Sequence, residues 1–138
     1  MAVPYTPVDA SGIELHKSSL PTGAVHVINA SGNKAAATAT ATLAGVAAKT
    51  NYLAGFSVTG TGATAALPAI VTVTGILGGT LSYIYGFAAG VLVANRPLVV
   101  TFDPPIPASA VNTAIAVSCP TSGTGGTHNA VVAHGYYL

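Results

Sequence analysis

Few side chains in this sequence could carry out acid–base, nucleophilic or metal chemistry. The 138 residues include three Asp and Glu, four His and one Cys. Asp9 and Glu14 lie near the N-terminus, and Asp103 stands before two prolines, where we interpret it as a residue that stabilises a turn. General acid–base catalysis needs positioned groups within reach of one another. The sequence offers no such pair of carboxylates.

The histidines offer one spacing that could bind a metal. His128 and His134 are six residues apart, so they would share one face of a strand. At about 3.3 Å per residue they would be about 20 Å apart, too far to bind one zinc ion within a chain. One histidine from each of several subunits could still meet at a symmetry axis. The favoured interpretation is that both are solvated or hydrogen-bonded on a polar sheet face, as for His16 and His26 elsewhere.

The remaining motifs also predict no catalytic site. Cys119 has no neighbouring base or positive field and cannot form a disulfide within the chain, so we expect a buried structural thiol. The glycine-rich residues 123–126 lack the Gly-Lys-Ser/Thr ending of a phosphate loop. We therefore expect no enzyme activity, no cofactor and no bound metal.

The charge of the chain is unusually low. Only 5% of residues are charged, against roughly 25% in ordinary soluble domains. Residues 50–95 contain no Asp, Glu, Lys, Arg or His. The four Lys and Arg are scattered and the net charge is +1, which argues against a nucleic-acid partner. Thr, Gly, Ser and Pro interrupt the apolar residues, so no run of about 20 predicts a membrane span.

The predicted core is thin. Alanine inflates the hydrophobic fraction of 51%, and aromatic residues make up only 7%. Burial stabilises by about 25 cal/mol per Å² of apolar surface, and alanine has little surface to bury. Small domains with such cores rely on disulfides, metals or oligomerisation. Because the first two are not available to this sequence, we expect a homo-oligomer, with a trimer preferred.

Alternating apolar and polar residues predict an all-β fold. Apolar or aromatic residues recur at every second position in about eight short runs, and glycine and proline turn signals separate the runs. This pattern indicates one antiparallel β-sandwich or barrel. Residues 34–48 are rich in alanine and could form a helix. Their Thr–Ala alternation between Gly32 and Gly45 favours a strand.

The N-terminal residues have a different composition. Residues 1–20 include Pro4 and Pro7 and three of the seven charged residues, which predicts an extended arm outside a domain of residues 21–138. The first residues lack the basic and apolar segments of a signal peptide, so we expect synthesis in a cytoplasm, which the protein leaves only as part of a particle. Such an arm could reach an adjacent subunit.

Four segments resemble a known class of proteins. They are residues 49–60 (KTNYLAGFSVTG), 71–81 (VTVTGILGGTL), 98–108 (LVVTF followed by PIPA) and 129–136 (NAVVAHGY). Together they resemble the small, uncharged β-proteins encoded among the structural genes of tailed bacteriophages. The resemblance covers about residues 35–138. It consists of short similar segments and a similar composition, with no catalytic motif.

The resemblance implies a virion function. Head decoration proteins, also called cement proteins, are jelly-roll sandwiches that form trimers on the capsid lattice and clamp neighbouring capsid subunits. We accordingly expect a jelly-roll sandwich on the capsid surface, bound to the major capsid protein. Apolar arm residues are the candidate interface, namely Tyr5, Ile13 and Leu15.

A second interpretation remains open. The same sandwich could be a receptor- or carbohydrate-binding module of a tail or fibre. Sugar-binding sites combine exposed aromatic rings with polar side chains. In this sequence the candidate cluster consists of His128, Asn129, Tyr136 and Tyr137.

Overall fold

The structure is a computed structural model that describes residues 20–62, 65–90, 93–121 and 128–138. These residues form an antiparallel β-sandwich, which confirms the all-β prediction. The described strands are β1 (Val25–Ala30), β2 (Lys34–Ala35), β3 (Ala39–Leu43), β4 (Asn51–Gly60), β5 (Leu67–Ile76), β6 (Gly79–Phe87), β7 (Leu98–Pro107), β8 (Ile115–Cys119) and β9 (His128–Tyr137). No described residue is helical, so none lies in a helix long and apolar enough to cross a membrane.

Two sheets pack face to face. The first sheet has the order β1-β9-β4-β7, and β2 also pairs with β9. The second sheet has the order β3-β8-β5-β6. The pairs are nested along the chain: β5 pairs with β6, β4 with β7, β3 with β8 and β1 with β9. Successive nested pairs lie in alternate sheets, so strands from both halves of the chain pair with each other on each side of the core.

The alternation in the sequence decides which side chains enter the core. In β3, Ala39, Ala41 and Leu43 are buried while the threonines between them face outward. The alanine-rich residues 34–48 therefore contain strands β2 and β3, as predicted, and not a helix. Side chains on one face of a strand recur every two residues, so this pattern fits only a half-buried strand.

The two sheets approach each other closely on the side of β3. Strand β3 lies close to β1 and β9 of the opposite sheet, and two of its three buried side chains are alanines. The backbone amide of Thr42 donates to Asn29 Oδ1 at 3.0 Å and closes this side. On the opposite side, β6 approaches no strand of the first sheet as closely. There the ring of Phe56 lies 5.3 Å from that of Tyr83 and 6.2 Å from that of Phe102.

One sequence expectation was wrong at residues 103–105. They do not form a turn between strands but lie within β7, and the peptide bond before Pro104 is cis. The pairing of β4 with β7 is irregular here, with residues 102–105 set against Ala54. Strand β7 is the edge of its sheet, where a proline that lacks an N–H need not break a ladder bond.

Most of the predicted arm falls outside the described residues. Of residues 1–20, the structure describes Leu20 alone. The candidate interface residues Tyr5, Ile13 and Leu15 also lie outside the described ranges.

Candidate functional site

His128 and His134 share the outward face of β9, as their spacing predicted. The residues between them at positions 129, 131 and 133 are buried. The structure gives the two histidines separate surroundings. His128 Nδ1 lies 3.0 Å from Asn33 Oδ1, which can only accept, so this nitrogen carries the proton. The ring of His134 lies over Gly55, where a Cβ atom would come within 2.9 Å of Nε2.

A pocket opens beside His134 on the outward face of the first sheet. Its volume is about 380 Å³, and its lining consists of Leu20, His26, Ala54, Pro105, His134, Gly135 and Tyr136. The pocket lies where the pairing of β4 with β7 is irregular. Tyr136 stacks on Tyr52 with ring centroids 4.8 Å apart and planes at 16°. Burial, and secondarily the neighbouring Tyr52, raise the pKa of Tyr136, so its hydroxyl keeps its proton at neutral pH.

Sequence analysis did not connect His26 with His134. His26 pairs with Tyr136, and its neighbour Ile28 pairs with His134, so the two imidazoles lie diagonally across β1 and β9. The strands are at opposite ends of the chain, and no local pattern joins them. No Asp, Glu or Cys is among the described residues that line the pocket. Within the described ranges, no three His, Cys, Asp or Glu side chains come together to hold a metal ion.

A second, smaller pocket lies at the other end of β9. It has a volume of about 230 Å³ and is lined by Asn33, Thr59, Gly60, Thr61, His128, Asn129 and Ala130. The backbone amide of His128 donates to Thr61 Oγ1 at 2.9 Å. This pocket can offer hydrogen bonds to a small polar group, and its described lining contains no carboxylate and no thiol.

The cluster expected for a sugar-binding site does not form. His128 and Asn129 begin β9 whereas Tyr136 and Tyr137 end it, so the two groups are about 23 Å apart at 3.3 Å per residue. Asn129 is also buried, and its Nδ2 donates to the carbonyl oxygens of Cys119 and Pro120 at 3.3 and 3.0 Å. The expectation overlooked that odd-numbered positions of β9 face the core.

Asn129 and Asn51 tie the two sheets together, a role that sequence reasoning missed. Asn51, at the start of β4, is 2% exposed. Its Nδ2 donates to the carbonyl oxygens of Leu43, Ala44 and Thr113 at 3.3, 2.9 and 2.9 Å, next to strands of the second sheet. The sequence contained one signal for this role: each asparagine is an amide at an inward-facing position of a strand with alternating apolar and polar residues.

Cys119 is a buried thiol, as expected. It is fully buried in the core and forms no disulfide. Burial raises the pKa of its thiol, although a hydrogen bond with Asn129 opposes the rise. A protonated, inaccessible sulfur is a poor nucleophile.

The outward face of the second sheet differs from a typical protein surface. None of its outward strand positions carries an Asp, Glu, Lys, Arg or His. Four side chains with hydroxyl groups form a row across the four strands at paired positions, namely Thr40, Ser118, Thr72 and Ser82. Beside it, Ile70 and Ile84 pair across β5 and β6 and are 55% and 81% exposed. We name this pair the isoleucine patch.

Comparison with known proteins gives no family for the chain. No protein-family model matches it, and a search of the curated proteins finds no similar sequence.

Proposed function

We propose that this chain is a bacteriophage virion structural protein that decorates the outer surface of the head and clamps neighbouring subunits of the major capsid protein. The observation that carries the proposal is the outward face of the second sheet, which bears hydroxyls and isoleucines and no ionisable side chain. Charged groups cost free energy when an interface removes them from water. A face without them is suited to extensive, permanent contact.

The order of the strands supports a jelly-roll type of sandwich. Eight strands pair as nested hairpins over two sheets, with β2 as a short addition beside β9, and this pairing supports the proposed jelly-roll arrangement. This is the fold that the resemblance to head decoration proteins implies. The fold alone does not assign a function.

The arm is the proposed contact with the capsid. Leu20 lines the pocket on the outward face of the first sheet, so the arm joins the sandwich on the side opposite the isoleucine patch. Tyr5, Ile13 and Leu15 are the apolar residues proposed to bind the major capsid protein. The domain is proposed to be catalytically inert, to need no cofactor, to bind neither nucleic acid nor membrane, and to act as a homo-oligomer, with a trimer preferred.

Binding to empty shells tests this proposal. Shells of the encoding phage that lack the protein are mixed with the full chain and sedimented. We expect saturable, stoichiometric co-sedimentation, and at least tenfold weaker binding when Tyr5, Ile13 and Leu15 are all changed to Ala. The matched control changes His128 and His134 to Gln and should bind as the unaltered chain does. Failure of the full chain to co-sediment at saturating concentration would overturn the proposal.

A second candidate function rests on the pocket beside His134. This pocket suits a sugar ring of a receptor, because it combines the ring of Tyr136, the imidazoles of His26 and His134 and a volume of about 380 Å³. This would make the chain a carbohydrate-binding module of a tail or fibre. A glycan array followed by titration should then show binding that Tyr136→Ala abolishes. Absence of any glycan that binds the full chain would rule against this candidate.

A further inference from the structure

Three edge strands of the sandwich, β3, β7 and β6, are protected to very different degrees. An edge strand presents unpaired backbone groups, and proteins normally shield it with charge, proline, short length or a cover. Strand β3 is short, and the side chain of Asn29 binds the amide of Thr42 within it. Strand β7 has Pro97 before it and Pro104, Pro105 and Pro107 within it.

Strand β6 has none of these protections among its residues. It runs for nine residues, Gly79–Phe87, without a proline or a charged side chain. It is the edge of the second sheet, opposite β3. Ile84, on its outward face, is 81% exposed, the largest exposure among the large hydrophobic side chains of the described residues.

Apolar side chains surround this edge on both sides. Outward, Ile84 and Ile70 form the isoleucine patch. Inward, Leu81 and Tyr83 are only half-buried against the core, although they are among its larger members. The edge of β6 therefore has exposed isoleucines on its outward face and half-buried side chains on its inward face, and apolar surface left exposed beside a sheet edge is suited to an interaction site.

We infer that a second copy of this chain covers the edge of β6, which pairs with β5 alone among the described strands, together with the isoleucine patch. This inference deepens the proposed homo-oligomer and rests on that part of the proposed function. Charge selects the occupant: a partner with charged groups would lose their hydration here without any counter-charge. A chain in which only 5% of residues are charged presents a matching surface.

The area of the surface determines how far the contact must extend. Four strands about 4.8 Å apart and about seven residues long give a face on the order of 400 Å². Each partner in a stable interface contributes about 800 Å². The face alone falls short, so the contact has to continue over the β6 edge onto the side chains of Leu81 and Tyr83.

Charge substitutions at matched isoleucines test the inference. The full chain, Ile84→Lys and Ile28→Lys are compared by sedimentation velocity over a range of concentrations. Ile28 is a suitable control because it is 65% exposed on edge strand β1 of the other sheet. We expect at least a tenfold weaker self-association for Ile84→Lys, an unchanged β-sheet circular dichroism spectrum, and unaltered assembly for Ile28→Lys.

Hydrogen exchange of the unaltered chain gives a second readout that does not depend on a variant folding. Backbone amides of β6 should gain protection as the concentration rises through the dissociation constant, whereas those of β7 should not. An unaltered chain that stays monomeric, an Ile84→Lys variant that assembles normally, or equal protection of both strands would overturn the inference. Protection of β6 only on the capsid would assign the edge to the capsid protein instead. Binding to shells is measured in a separate experiment. A result that overturns self-association through β6 therefore leaves capsid decoration testable, and the reverse also holds.

Discussion

The substitution Asn51→Asp tests how the two sheets are held together. The amide nitrogen of Asn51 has two hydrogens and serves three carbonyl oxygens at the end of the sandwich. An ionised carboxylate of the same shape cannot donate, and it repels those oxygens. Each buried group left without a partner costs about 1–3 kcal/mol, so loss of two hydrogen bonds should lower the free energy of unfolding by about 3 kcal/mol. With a slope of about 1.5 kcal/mol per molar urea, the midpoint should fall by about 2 M.

The pH dependence adds a second signature of the same variant. Burial among carbonyl oxygens should raise the pKa of the introduced carboxyl above its unfolded value of about 3.9. The stability deficit should therefore be smallest below pH 4 and grow as the pH rises through the folded pKa. The matched control is Asn33→Asp, because Asn33 is exposed and only its oxygen is used, as an acceptor for His128. Urea unfolding should place this control within about 0.5 kcal/mol of the unaltered chain. An Asn51→Asp variant that is equally unaffected at pH 7 would refute the reasoning.

Three further predictions concern the sheet packing, the thiol and the histidines. Gly55→Ala should lower the free energy of unfolding by about 2 kcal/mol, because the new Cβ would lie 2.6 Å from a carbonyl oxygen of β7 and 2.9 Å from the ring of His134. The control Gly86→Ala, which has open space around it, should be nearly neutral in urea unfolding. Because burial raises the pKa of Cys119, the free energy of unfolding should be constant up to about pH 8.5 and fall as the pH rises further through the folded pKa. Cys119→Ala should reduce this slope in urea unfolding measured at successive pH values. Changing His128 and His134 together to Gln should leave thermal stability and assembly unaltered, and stoichiometric zinc in elemental analysis of the unaltered protein would contradict the interpretation of both as solvated residues.

The strands could be predicted from sequence because their signal is local. Alternation along β3 and β9 identifies both the strand and its buried face, even where alanine favours a helix. The error at Asp103 has a physical cause. Consecutive prolines normally indicate a turn, but an edge strand tolerates them where the opposite strand makes no regular ladder.

The sites could not be predicted to the same degree because they depend on strand pairing. His26 and His134 line one pocket only because β1 pairs with β9, and nothing near either residue indicates that register. Asn129 appeared to be a surface residue because amides usually are exposed. Its burial follows from its position on the inward face of β9 and from the two carbonyl oxygens that it binds.

The distribution of small and large core residues was likewise hidden in the composition. The sequence contains many alanines and few aromatic residues, which predicted a thin core. In the structure two of the three buried residues of β3 are alanines, whereas the ring of Phe56 packs against Tyr83 of β6 and Phe102 of β7.

Cryo-electron microscopy of the particle of the encoding phage tests the central claim most directly. A virion decoration protein should appear as sandwich-sized density on the outer capsid surface, repeated across the lattice and grouped in threes, with the arm in contact with the major capsid protein. Particles produced without the protein should lack that density. Density for the sandwich at the tail or fibre, or particles that contain none of the protein, would contradict the account.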